Sequence, residues 1–222
     1  MGKLFLIMGK SATGKDHIFR DVVAAFEGRL KTVVSYTTRP QRVGETDGVE
    51  YHFVSEAEME RMRAAGKILE CRCYHTVAGP WYYFTADDGQ FRSDGDSGIL
   101  IVTPEAYREL RKSVGEDTIV PIYIEVEGGE RLARALKRER KQDRPNYDEL
   151  CRRFLADEKD FSDAVLAELG IDRRFTNDDY DTCVAEIVEA VAQTPGGPGA
   201  ESIDGAGTTN GDGCRSGGPG AV

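Results

Sequence analysis

Gly9 and Gly14 bracket Lys10, Ser11, Ala12 and Thr13, and Lys15 and Asp16 follow directly. Glycines at this spacing let a backbone turn its N–H groups inward around phosphate oxygens, and a lysine at the end of the turn supplies a mobile positive charge. The pattern ordinarily closes with a Ser or Thr whose hydroxyl sits on a magnesium ion. Here Asp16 closes it. Left bare beside a polyphosphate, its charge costs about 4 kcal/mol per close pair at a moderate effective dielectric. A cation between them reverses the sign. Magnesium is commonly held by one or two carboxylates together with phosphates and waters, so Asp16 is a candidate metal ligand. The plainer alternative is an acid that favours the positive end of a helix.

A second stretch, "SYTTRPQRVGETDGVEYHFVS" at positions 35 to 55, places Arg39 and Arg42 on either side of Pro40, with Ser35 and Tyr51 as neutral donors. Two planar guanidinium forks aimed at one place make a clamp for a terminal phosphate. His17, His52 and His75 have no metal-ligand spacing and are assigned no chemistry.

These residues need a scaffold, and the hydrophobic pattern supplies one. "KLFLIM" reads as a strand buried on both faces and runs straight into the glycine loop. "KDHIFRDVVAAF" puts Ile18, Val22, Val23 and Phe26 on one helical stripe just after it. "GILIV" predicts a second buried strand, with a helix opening at Thr103 and Pro104, and "TIVPIYIEV" predicts a third, leading to the helix "GERLARALKRERK". One long helix is expected across "YDELCRRFLADEKDFSDAVLAELG", then a short strand near "RRFTN" and a final helix, "YDTCVAEIVEAVAQ". Such alternation implies an α/β fold, a parallel sheet with helices on both faces. Between Tyr36 and Asp88, "EYHFV", "KILECRCY" and "WYYFT" read as strands with little helix between them, and so as a separate lobe.

The gross composition sets bounds. A net charge of −10 argues against a nucleic-acid partner, because binding to a phosphate backbone rests on surplus Lys and Arg. Any anion bound here must meet a local cluster of cations. Five cysteines without metal-finger spacing predict free thiols in a reducing compartment, with Cys71 and Cys73 buried on a strand. No targeting signal or membrane-spanning run is visible, which gives a cytoplasmic expectation. From Pro195 to Val222 the chain is glycine-rich, with no aromatic residue and no Leu, and is expected to be a disordered tail.

With the loop and the arginine clamp in place, the sequence resembles the guanylate kinase family from about Lys3 to about Ala192. The resemblance implies a P-loop core over residues 1–35 and 89–194 with a helical lid around 134–153, and an inserted β-rich GMP-binding lobe over 36–88. It implies phosphoryl transfer from ATP to GMP with magnesium, giving ADP and GDP, and small-molecule partners only. Residue by residue, Gly9 through Asp16 would hold ATP. Ser35, Arg39, Arg42 and Tyr51 would hold the GMP phosphate, with Glu45 bracing the arginines and Tyr83 adding a contact. Glu70 would accept from guanine N1 and N2, with Thr85 near O6. Adenine offers no such donor pair, and a buried acid would be left unpaired against it. Lys15, Arg138 and Arg153, with Arg134 beside them, would neutralise the transferring group, and Asn177 would lie near the adenine.

Three features depart from that family. Asp16 replaces the hydroxyl. The strand "GILIVTPEA" lacks the family's acids near the metal, so the carboxylate is expected to have moved from strand to loop. Phe84 replaces a glycine and follows a longer loop, "HTVAGPWY", which loosens the implied selectivity for guanine. Two other readings therefore stand beside the first. One is a kinase for another nucleoside monophosphate or a phosphorylated metabolite. The other is a silent guanylate-kinase-like binding module, against which Lys15 and the arginine-rich lid argue.

Overall fold

The computed structural model describes residues 2–76, 79–92 and 94–199. Its centre is β1 (Leu4–Met8), whose five residues are all buried because helices cover both faces of its sheet. Five strands, β2 (Leu30–Thr32), β7 (Ser97–Ile101), β1, β8 (Ile119–Glu125) and β9 (Arg174–Thr176), lie side by side in that order, every neighbouring pair parallel. Leu4, Leu6 and Met8 point to one side, among Tyr107 and Leu110 of α3 (Pro104–Val114) and Phe161, Leu166 and Leu169. Phe5 and Ile7 point to the other, where α1 (Lys15–Ala25) supplies Ile18 and Val22, and α7 (Tyr180–Gln193) supplies Cys183, Ile187 and Val191. This two-sided core is the α/β arrangement that the apolar runs imply.

A second sheet is built by β4 (His52–Phe53), β3 (Tyr36–Thr37), β6 (Gly79–Ala86) and β5 (Ile68–Thr76), in that order. The sequence gives no sign of α2 (Glu56–Ala64), which packs beneath this sheet. Ser55 caps it by accepting from the Glu58 N–H, but Met59 is its only fully buried side chain, so it carries almost no apolar period. The cysteine expectation holds in part. Cys71, Cys73, Cys151 and Cys183 are free thiols, but Cys73 is exposed and Cys71, packed against the Met59 cluster, is only half-buried. Cys214 lies outside the described residues.

Two further expectations are corrected. The single long helix is two, α5 (Tyr147–Asp160) and α6 (Asp163–Glu168), broken where Phe161 turns into the core and Ser162 adopts extended backbone. The first five residues of the expected tail, 195–199, lie against the body. Arg29 donates to the Pro198 carbonyl at 2.7 Å, and a Cβ on Gly197 would stand 2.7 Å from the Val191 carbonyl oxygen, so glycine is what allows the approach. The rest of that segment is outside the described residues. Among the described residues no helix is long and apolar enough to cross a membrane.

Candidate active site

The glycine loop turns out of the carboxyl end of β1 and into α1. Ala12 and Gly14 take left-handed backbone, φ 66° and 85°. At Gly9 a side chain would collide with the Ile124 carbonyl oxygen at 2.8 Å, so the loop lies flat on β8 only because position 9 has none. Lys15 and Asp16 open the helix, where the N–H groups of its first turn favour an anion. Asp16 is exposed and carries no ion pair or side-chain hydrogen bond among the described residues.

Behind the loop lies a charge network the sequence reading missed. Arg131 of α4 (Gly128–Glu139) is 1% exposed, donates to the Ser11 carbonyl at 3.2 Å, and pairs with Asp157 and Glu158 of α5. Asp157 accepts the Ser11 N–H at 2.6 Å, and Glu158 pairs with Lys10 at 2.8 Å. The ring of Phe154 lies 4.3 Å from the Arg131 guanidinium carbon. Arg138 and Arg153 both line a narrow crevice beside this network, together with Ser11 and Arg131. Arg134 instead pairs with Glu130 and donates to the Asn177 carbonyl at 3.3 Å. The side chain of Asn177 is not free to meet a base. It is buried, and its amide donates to the Thr13 carbonyl at 2.7 Å, bracing the loop. Helical spacing held the missing signal: Arg131 is seven residues before Arg138, and Asp157 four after Arg153, each pair on one face.

On the second sheet, Arg39 is almost wholly buried and holds Glu45 through two parallel bonds of 2.7 and 2.6 Å. Glu45 also accepts the Arg42 N–H at 2.8 Å. The bond from Arg39 pulls the Glu45 carboxyl down to about 2, against the opposing effect of burial. The hydrogen bonds that Arg39 donates to Glu45 raise the arginine in turn, against burial, with Tyr83 adding to the rise. Its guanidinium carbon stands 5.2 Å from the Tyr51 ring centre and 5.3 Å from that of Phe53. Tyr83 meets Tyr51 edge-on at 5.6 Å, and Arg42 is exposed.

Glu70 and Thr85 face each other across β5 and β6, and the Thr85 hydroxyl donates to Glu70 at 2.9 Å. Ser35 lies 3.3 Å from Thr85. Phe84, between the cleft-facing Tyr83 and Thr85, points the other way. It is fully buried among Met59, Ala86 and Tyr36, so its side chain does not enter the site. The residue facing Glu70 that the sequence pattern left unassigned is Arg72, two positions along β5 on the same face. It pairs with Glu70 at 3.0 Å and reaches Thr103 at 3.2 Å. Burial would lower its pKa, but Glu70 outweighs this and raises it.

The two halves face one cleft of about 220 Å³, lined from one side by Gly9, Ser11 and Lys15 and from the other by Ser35, Tyr51 and Arg72. Its floor, Ile101, Val102 and Thr103, is free of acids.

A family model, "Guanylate kinase", matches residues 1–194. The chain belongs to the guanylate kinase family. The guanylate kinase of Paraburkholderia xenovorans is 30% identical over 87% of this chain and 80% of its own. That of Neisseria gonorrhoeae is 36% identical over 61% of this chain and 64% of its own, and that of Symbiobacterium thermophilum 38% over 54% and 46%. The matched stretch thus spans about half of the Symbiobacterium relative and under two thirds of the Neisseria one. The crystal structure of the Anaplasma phagocytophilum guanylate kinase shares the fold with a TM-score of 0.59, at 18% identity, covering 85% of this chain and 84% of that one.

Proposed function

We propose that this guanylate kinase family member transfers the terminal phosphoryl group of ATP directly to the phosphate of GMP, giving ADP and GDP. The observation that supports the proposal is the cleft itself, lined by Lys15 of the loop on one side and by Ser35 and Tyr51 of the lobe on the other. An incoming phosphate is already a nucleophile, so no covalent enzyme intermediate is needed, and the residues act by alignment and neutralisation of charge.

In this reading the loop N–H groups and Lys15 hold the polyphosphate. Arg39, locked by Glu45, and Arg42, Ser35, Tyr51 and Tyr83 hold the monophosphate. Arg138 and Arg153 close over the group in transit, where donors aimed at developing charge act most strongly. Lid closure keeps water from the transferring group. Asn177, Arg131 and Asp157 act through the loop, by fixing its shape.

Magnesium suits the donor set. Among the described residues no group of three or more His, Cys, Asp or Glu side chains could hold a metal alone, while Asp16 offers one free carboxylate beside the polyphosphate site. Asp16 would hold a magnesium ion there, and the ion would supply neutralisation of the polyphosphate charge. The acid-free end of β7 fits the transfer of this carboxylate from strand to loop.

ADP release from ATP and magnesium, measured across GMP, dGMP, IMP, AMP, CMP and UMP, tests the assignment. A guanine or related purine monophosphate is expected to lead. A pyrimidine leading would move the protein to another acceptor, and no release with any of them would make it a silent binding module.

A further inference from the structure

Glu70 is the residue that by family resemblance would read guanine, and in this protein it is sealed. Its side chain is 1% exposed. One carboxylate oxygen accepts from Thr85 at 2.9 Å and from Arg72 Nη2 at 3.4 Å, and the other accepts from Arg72 Nε at 3.0 Å. A carboxylate has about four lone-pair sites, so three are taken and the fourth has almost no open approach. Guanine N1 and N2 could reach it only by displacing Arg72. That exchange would strand a guanidinium whose side chain is itself only 12% exposed.

What the cleft shows an acceptor is therefore Arg72. Of its five N–H groups, two point to Glu70 and one to Thr103, which leaves one on each terminal nitrogen. The guanidinium lines the cavity beside Ser35 and Tyr51. Thr103 also caps α3, accepting the Ala106 N–H, so the far end of the arginine is held by the core sheet. The polarity expected from Glu70 is inverted: the wall is a donor pair.

Resting on the reading of the cleft as a nucleoside monophosphate site, we infer that Arg72, and not Glu70, selects the acceptor base, and that the acceptor class is the 6-oxopurine nucleotides irrespective of the 2-amino group. O6 and N7 of a 6-oxopurine are adjacent acceptors that a guanidinium fork matches. Adenine sets its N6 donor against one of those N–H groups. Nothing in this arrangement reads position 2, where guanine and hypoxanthine differ.

The test is kcat/KM for GMP, IMP and AMP with ATP and magnesium, alongside equilibrium dialysis of the same three nucleotides, in wild type, Arg72→Ala and Arg72→Lys. The expected result is GMP and IMP within about threefold of each other in wild type, with AMP about a hundredfold lower. Arg72→Ala uncovers Glu70, so the GMP to IMP ratio should rise at least about tenfold. Arg72→Lys keeps the charge but not the fork, so GMP and IMP should fall together at an unchanged ratio. Should Arg72→Ala fail to fold, the wild-type ratio decides alone. A wild type that turns over GMP but excludes IMP by about a hundredfold overturns the inference and leaves the kinase reading intact. Neither binding nor turnover of any of the three overturns the kinase reading, and the inference with it.

Discussion

The two walls of the cleft use charge in opposite ways. On the loop wall, the paired charges lie behind the loop: Arg131, Asp157, Glu158 and Lys10 bind one another and the Ser11 backbone, and the Asp16 side chain has no partner among the described residues. On the lobe wall, the residues that would meet the acceptor are the ones paired, Arg39 with Glu45 and Arg72 with Glu70. The loop wall, in the proposed reading, is a cradle whose shape is fixed from behind. The lobe wall is a set of satisfied pairs whose remaining N–H groups define what can dock. Within the lobe the pairs differ again: Glu45 holds the arginine proposed to meet the acceptor phosphate, whereas Arg72 covers Glu70.

Four substitutions sharpen or break this contrast. Arg138→Ala should lower kcat by about a thousandfold with little change in the KM for GMP, since that arginine is assigned to the moving phosphoryl group. Arg39→Ala should act mainly on GMP affinity, and the reverse ranking in steady-state kinetics would show the two walls wrongly assigned. Arg131→Met should cost about 3 kcal/mol in urea unfolding, because it leaves Asp157 facing the loop without its cation. A stability within about 0.5 kcal/mol of wild type would mean the network braces nothing. Asp16→Ala should raise the magnesium concentration for half-maximal activity by about tenfold or more, while GMP binding by calorimetry stays the same. Equal magnesium dependence would return the residue to a helix-start acid.

The smallest effect is expected from Glu45→Gln. With its folded pKa near 2 and an ordinary value of 4.5, Glu45 contributes stability that is complete above about pH 4.5 and lost as the pH falls towards 2. The melting-temperature gap between wild type and variant should thus be open at pH 6 and close over that window. A gap that does not change from pH 6 to pH 2 contradicts the pairing.

The parts legible in the sequence are those written locally. The strand, loop and helix from Leu4 to Ala25 are contiguous, so periodicity and glycine spacing reveal them together. Arg39 and Glu45 are six residues apart, and the clamp could be read as a unit. Helical spacing puts Arg131 and Asp157 on the faces of Arg138 and Arg153, but what they brace was not legible: Asn177 reaches Thr13 over 164 positions and Asp157 reaches Ser11 over 146, and no local pattern encodes such pairs. Arg72 was within reach: alternation along a strand puts positions 70 and 72 on one face. Phe84 stands where the family has a glycine, yet the same alternation turns it away from the cleft. The break at Ser162 escaped because apolar residues continue on both sides of it.

Transfer across the cleft is tested most directly by following the label from ATP carrying phosphorus-32 in its γ-phosphate, incubated with GMP, magnesium and the protein. The account predicts label in the β-phosphate of GDP, with equal ADP, and its loss in Lys15→Ala. Label recovered only as inorganic phosphate, or retained in ATP, would contradict it.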